Sequence, residues 1–192
     1  MRQLFCLSII ALVLIFTSCQ NESNLVNTEN SGTRLNSSNE PNWIGLPKAK
    51  EAKLQKIHSV NEFITVADGG ELVITDTYLS TNGNTVEVYS SLKFDPGCVK
   101  QNGNISMELD DETGVSTFLP AQVFNFPAII NQRITGFDLS NVNIDDIGFY
   151  YIKTDGTFEE MQYDDLIIDV QTGTIEIVNA RIPHFSRYGI GT

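Results

Sequence analysis

Histidine and cysteine are scarce in this 192-residue chain, which carries two of the first and three of the second. Cys6 and Cys19 fall within the first 19 residues, so Cys98 has no partner in the remainder. A structural zinc site takes four nitrogen or sulfur ligands, and His58, His184 and Cys98 cannot supply them. Neither G-x-x-x-x-G-K nor G-x-G-x-x-G occurs, so the phosphate cradles of nucleotide cofactors are missing. No cofactor and no metal is expected. Basic residues are few as well, 12 against 24 acids, and from Ile57 onward six bases face 20 acids. A surface of that sign repels phosphate backbones and argues against nucleic acid as a partner. The acidity serves solubility.

Long apolar runs are missing too, with one short exception. After Met1-Arg2-Gln3, the 13-residue stretch Leu4–Phe16 is an apolar run broken only by Ser8. As a helix it is about 20 Å long, against a hydrocarbon core of roughly 30 Å. It is too short to span comfortably and reads as the apolar region of an export signal. Thr17-Ser18-Cys19 follows, small residues ending on cysteine, which resembles the lipoprotein signal of bacteria. That resemblance implies cleavage after Ser18, acylation of Cys19 and a membrane as first partner. Phe16 stands where such signals usually carry leucine, three residues before the cysteine. Gln20, not aspartate, comes after the cysteine, which resembles signals for the outer membrane of the envelope.

The chain thus divides into a signal peptide over 1–18, a linker over 19–57 and a domain over 58–192. Asn, Ser, Glu and Thr dominate Gln20 to Pro47, and such a stretch cannot bury enough apolar surface to offset its ordering entropy. Trp43, Ile44 and Leu46 interrupt it and are expected to touch the domain or the membrane surface. Lys48 to Ile57 is expected to form one or two helical turns, with Lys48, Lys50, Lys53 and Lys56 on a solvated face.

From Glu71 the apolar period becomes two. Thr85 to Phe94 is the clearest strand: Val86, Val88, Leu92 and Phe94 share one face and Glu87, Tyr89, Ser91 and Lys93 the other. Asp95-Pro96-Gly97 stops it. Further strands are read at Ile105 to Leu109, Val115 to Leu119 and Val123 to Ile130. Two hairpins close the chain, turning at Thr154-Asp155-Gly156 and Gln171-Thr172-Gly173. Ile175 and Ile177 share a face, after which Val178, Ala180 and Ile182 take the other register, so a β-bulge is expected near Val178. About eight short strands without a convincing helix predict an all-β fold, a single antiparallel β-sandwich.

Several segments of this domain resemble the ZU-five module, the β-sandwich of zonula occludens proteins, netrin receptors and ankyrins, and bacterial lipoproteins with related domains. They are Gly69-Gly70-Glu71-Leu72, Val88 to Gly97, Ile105-Ser106-Met107, Phe118-Leu119-Pro120, Phe124 to Ala128 and above all Ala180 to Tyr188. In some relatives of that module a His-Phe-Ser sequence cuts itself. Carried over, the resemblance implies His184 as base, Ser186 as nucleophile and Phe185–Ser186 as the scissile bond. The other reading of the same residues is structural: Phe185 and Tyr188 fill the core while His184 and Ser186 hydrogen-bond to nearby backbone at the last strand.

Other candidates for chemistry are thinner. Asp110, Asp111 and Glu112 could supply calcium oxygens, but the D-x-[DN]-x-[DN]-G spacing is missing. The pairs Glu159-Glu160 and Asp164-Asp165 would need a cleft to act as glycosidase carboxylates. Cys98 is expected to be a small semi-buried hydrophobe. The expectation is a membrane-anchored envelope lipoprotein whose sandwich is a non-enzymatic interaction or structural module for a protein or glycan. The alternatives are a self-processing domain and a weak calcium or carbohydrate binder.

Overall fold

The computed structural model describes residues 41–51 and 57–192. The leader, Cys19 and the linker as far as residue 40 lie outside the described residues, as do residues 52–56.

Two antiparallel sheets form a β-sandwich. The strands are β1 (Ile57–Ile64), β2 (Gly70–Leu79), β3 (Thr85–Phe94), β4 (Gly103–Asp110), β5 (Ser116–Leu119) and β6 (Val123–Ile134). After a single 3-10 turn at Ile144–Asp146 come β7 (Gly148–Ile152), β8 (Phe158–Glu160), β9 (Asp165–Asp169), β10 (Thr174–His184) and β11 (Arg187–Gly191). One sheet has the order β1-β4-β5-β11-β7-β8 and the other β2-β3-β6-β10-β9. The described residues therefore hold eleven strands where the sequence suggests about eight.

The two strands that the pattern does not mark, β1 and β11, have plain causes. In β1 the apolar alternation is broken by His58 and Glu62, so Val60 and Ile64 alone did not mark it. β8, expected over Thr157 to Met161, forms over the shorter span Phe158–Glu160. β11 arises because Ala180 to Tyr188 is not one strand. The chain turns at Phe185–Ser186 and passes from the five-stranded to the six-stranded sheet.

The core lies between the sheets, where Leu72, Leu92, Phe94, Met107, Phe118, Phe149 and Ile182 are almost wholly buried. Each such side chain contributes about 1.5–3 kcal/mol by leaving water. In β3 the expected inward set Val86, Val88, Leu92 and Phe94 is buried. Ser91 is buried as well, although it lies on the outward side. So short a side chain is covered by its flanking partners Val73 and Asn131.

The bulge lies where the change of phase places it. β10 shifts register against β6 between Ile177 and Ala180, and Asn179 adopts φ 51. Asparagine tolerates that left-handed conformation better than most side chains. Asn131 Oδ1 accepts from the Asn179 amide at 2.8 Å, while Asn179 Nδ2 donates to Asp164 at 3.0 Å. Both expected hairpins form, with Gly156 and Gly173 at φ 81 and 62.

The segment 41–51 is seated on the sandwich. Asn42 and Thr192 exchange backbone hydrogen bonds, and the Ile44 amide donates to the Ile190 carbonyl at 2.9 Å. Leu46 is buried in the core. The helical turn expected from Lys48 is not formed over the described residues 48–51. Ala49 bridges Ser80, Lys50 N–H donates to Leu79 O, and Lys48 O accepts from Thr81. Tertiary hydrogen bonds to the end of β2 override a weak helical propensity. The sequence-based boundary at residue 58 thus misses an N-terminal strap that belongs to the sandwich.

Candidate functional site

The corner between β10 and β11 carries the motif that the sequence singles out. Phe185 is buried at the centre of an aromatic cluster, with its ring centroid 4.7 Å from Phe124, 5.7 Å from Phe118 and 5.9 Å from Phe94. Its amide donates to Gln122 O at 2.7 Å, and Ser186 O accepts from the Phe118 amide at 3.0 Å. The corner is thereby held from both sides.

His184 and Ser186 are turned to different partners. The Ser186 hydroxyl donates to Ile152 O at 3.4 Å. His184 Nδ1 lies 3.2 Å from the Tyr188 hydroxyl, which donates to His184 O at 2.7 Å. The Tyr151 ring stands edge-on to the imidazole at 4.5 Å. Burial, and then Tyr151, push the Tyr188 phenol far above its ordinary range, so it stays a proton donor. His184 and Ser186, expected together at the last strand, are instead separated by the corner: His184 ends β10 and Ser186 precedes β11. A serine attacking the Phe185 carbonyl would have to leave Ile152 O and reach a base that now faces Tyr188.

The remaining sequence candidates are dispersed. Cys98 is fully buried; its thiol donates to Phe126 O at 3.2 Å, and burial with Asp95 nearby pushes its pKa up to about 11. That is the state of an inert thiol. His58 is buried on β1 and faces Asp76 of β2 at 3.4 Å. In the acidic turn, Asp110 Oδ1 accepts from the Glu112 amide at 2.8 Å, and Asp111 O accepts from Leu46 at 2.8 Å. Glu159 pairs with Lys153 at 3.1 Å, and Asp164 with Arg181 at 2.7 Å. Among the described residues no three His, Cys, Asp or Glu side chains stand together as a metal-binding group.

The outer face of the six-stranded sheet holds a feature that the sequence reading did not assemble. Trp43, the only tryptophan, is carried there by the N-terminal strap. It lies over Gly189, where an added Cβ would stand 3.0 Å from the indole and 3.1 Å from Val115. Tyr150 lies over Gly148 in the same way, at 2.7 Å from its hydroxyl. Glycines form the floor on which these rings rest. Trp43 and Tyr150 meet edge-on at 6.4 Å and 77°, and Tyr150 and Phe158 at 6.1 Å and 83°.

These three rings are half-buried and stand outside the main core. Charged groups of both signs flank them. Glu160 pairs with Tyr150 across β7 and β8, and it also accepts from the Tyr163 hydroxyl at 3.4 Å. Burial, and then Glu160 and Asp146, raise the Tyr150 phenol. Arg187 stands one row along, paired with Ile152, exposed and without an ion pair among the described residues. The signal for this row lay in parity: Tyr150 and Gly189 alternate out of phase with core residues Phe149 and Tyr188.

Compared with family models, curated proteins and solved structures, the chain matches none of them.

Proposed function

We propose that this protein is a lipid-anchored component of the bacterial envelope whose β-sandwich is a non-enzymatic binding module. The observation that carries the binding role is the row Trp43–Tyr150–Phe158. Half-exposed aromatic rings set on a rigid sheet and kept out of the core are the usual material of recognition surfaces. The anchor is supported by the leader, which ends in Thr17-Ser18-Cys19, and by Gln20 after the cysteine for an outer-membrane destination. The likeness of Ala180 to Tyr188 to ZU-five modules adds the same scaffold class.

Acylation makes membrane attachment depend on one sulfur atom. Wild-type protein is expected in the membrane fraction and Cys19→Ala in the soluble fraction. Equal partitioning of the two would remove the anchor from the proposal.

Self-cleavage between Phe185 and Ser186 is the competing reading. The bend places the motif at a corner, which self-cleavage requires, but neither Phe185 nor Ser186 adopts a left-handed φ that would strain the bond between them. The hydrogen bonds of His184 to Tyr188 and of Ser186 to Ile152 favour the structural role.

A further inference from the structure

The binding-module reading leaves the ligand class open, and the chemistry around the aromatic row narrows it. The geometry points to a neutral glycan chain lying across β11, β7 and β8 over Trp43, Tyr150 and Phe158; this inference rests on that reading.

Three features carry the assignment. The rings present apolar surface that is partly open to water, and the C–H face of a sugar ring stacks on such surface. The row is extended, its rings meeting edge to face at 6.4 and 6.1 Å, so it offers a line of apolar contacts to a chain-like ligand and not a single point. The flanks then decide on charge. Glu160 and Asp146 oppose an anion, while Arg187 one row away opposes a cation. Glu159, which pairs with Tyr151 and not with Tyr150, has opposite parity to the row and is held by Lys153 at 3.1 Å. A hydroxyl both donates and accepts, so it can use the guanidinium at one side and the carboxylates at the other. A ligand rich in hydroxyls and free of net charge suits both flanks together.

The site is also rigid. Glycine at 189 and 148 lets the indole and phenol rest against backbone, and the strap is fixed to β11 by the hydrogen bonds of Asn42 and Ile44. Rings already held in place lose little freedom on binding.

The single tryptophan makes the test direct, since intrinsic fluorescence reports Trp43 alone. The probes are cellohexaose and chitohexaose, titrated into full-length protein in detergent, with an oligolysine peptide as the charged control. Saturable fluorescence change with a hexasaccharide is expected. Tyr150→Ala should weaken it by roughly tenfold, and Arg187→Gln and Glu160→Gln should each weaken it several-fold with melting temperature unchanged. Tyr150→Phe, which keeps the ring, should retain binding and guards against a merely misfolded alanine variant. A response to oligolysine alone, abolished in Glu160→Gln, overturns the glycan class. No response to any probe overturns the inference as well.

Photo-crosslinking in native membranes, from positions spread over both sheets, judges the underlying reading separately. A defined adduct formed only away from the aromatic row sinks the glycan inference and keeps the binding module. No adduct from any position sinks both.

Discussion

The hydroxyl of Tyr188 reaches back four residues to the carbonyl of His184, 2.7 Å away, from a ring with no exposed surface. The bond closes the corner at which the chain changes sheets. It belongs to the side chain that also packs against Phe118, Phe149 and Tyr151. Tyr188→Phe keeps the packing and removes the donor. A buried bond of this kind is worth about 1–3 kcal/mol once the stranded acceptor is counted. Urea denaturation should show a loss in that range with an unchanged slope. No loss would mean that packing and the backbone bonds of Phe185 and Ser186 hold the corner without it.

The corner also bears on self-processing. Wild-type protein is expected to show one species after purification, with no fragment ending at Phe185. Intact-mass spectrometry checks this, and a product beginning at Ser186 would reverse the structural reading. Ser186→Ala should then behave as wild type in mass and nearly so in stability, because a long 3.4 Å hydroxyl bond contributes little.

Gln132 is a misfit inside the core. It is 1% exposed, it faces Ser90 across β3, and neither end of its amide has a hydrogen-bond partner. An unsatisfied buried amide costs about 1–3 kcal/mol. Gln132→Met, of similar volume and without donors, should therefore raise stability by about 1 kcal/mol or more. A lowered melting temperature would show that the amide is satisfied in solution, for instance by internal water.

At the bulge, the left-handed backbone and the side chain can be separated. Asn179→Gly keeps φ 51 accessible and loses only the surface bond to Asp164. Asn179→Ala must adopt the same φ with a Cβ, at a cost of about 1 kcal/mol or more. The expected order of melting temperatures is wild type, then glycine, then alanine. Alanine equal to glycine would mean that the side-chain bonds, not the backbone, set the position.

Acid stability follows from the same place. Hydrogen bonds from Asn179 and Arg181 hold the Asp164 carboxyl below its ordinary value of 3.8, as Ser140 does for Asp138, Thr157 for Asp155 and Thr172 for Asp169. A depressed pKa contributes stability above the unfolded value, and the contribution is lost as pH falls through the folded one. Asp138, Asp155 and Asp164 are exposed and Asp169 is no more than half-buried, so each contribution is small. Melting temperature should be level from neutral pH down to the ordinary aspartate range and fall below it. Asp164→Asn should flatten that decline. An unchanged profile in the variant would exclude Asp164 as a contributor.

How much of this was legible in the sequence depended on parity and distance. Strict alternation in Thr85–Phe94 and the turn residues Asp155-Gly156 and Thr172-Gly173 marked strand and hairpins, because local chemistry alone decides them. The bulge was readable for the same reason, as a phase change between Ile177 and Ala180. The strap was not. Its partners, β11 and the end of β2, are supplied by the tertiary fold, and its polar composition resembled a linker. The corner at Phe185–Ser186 was hidden because apolar residues continue through it: Phe185 fills the core as a strand residue would. Parity could place Tyr150 on the outward face, but Trp43 stands more than a hundred positions away and no local pattern brings it there.

The strap has a mechanical consequence. Its backbone bonds to β11 begin at Asn42 and Thr192 and continue to Ile44 and Ile190, with Trp43 between them. Tension drawn through the preceding chain therefore arrives at Asn42 first and loads these bonds one after another, as in opening a zip. The indole is the first large side chain along that line. Peeling the strap lifts one wall of the aromatic row while Tyr150 and Phe158 stay fixed on β7 and β8. Displacement of the strap and the shape of the outer face are thus linked through a single residue, Trp43.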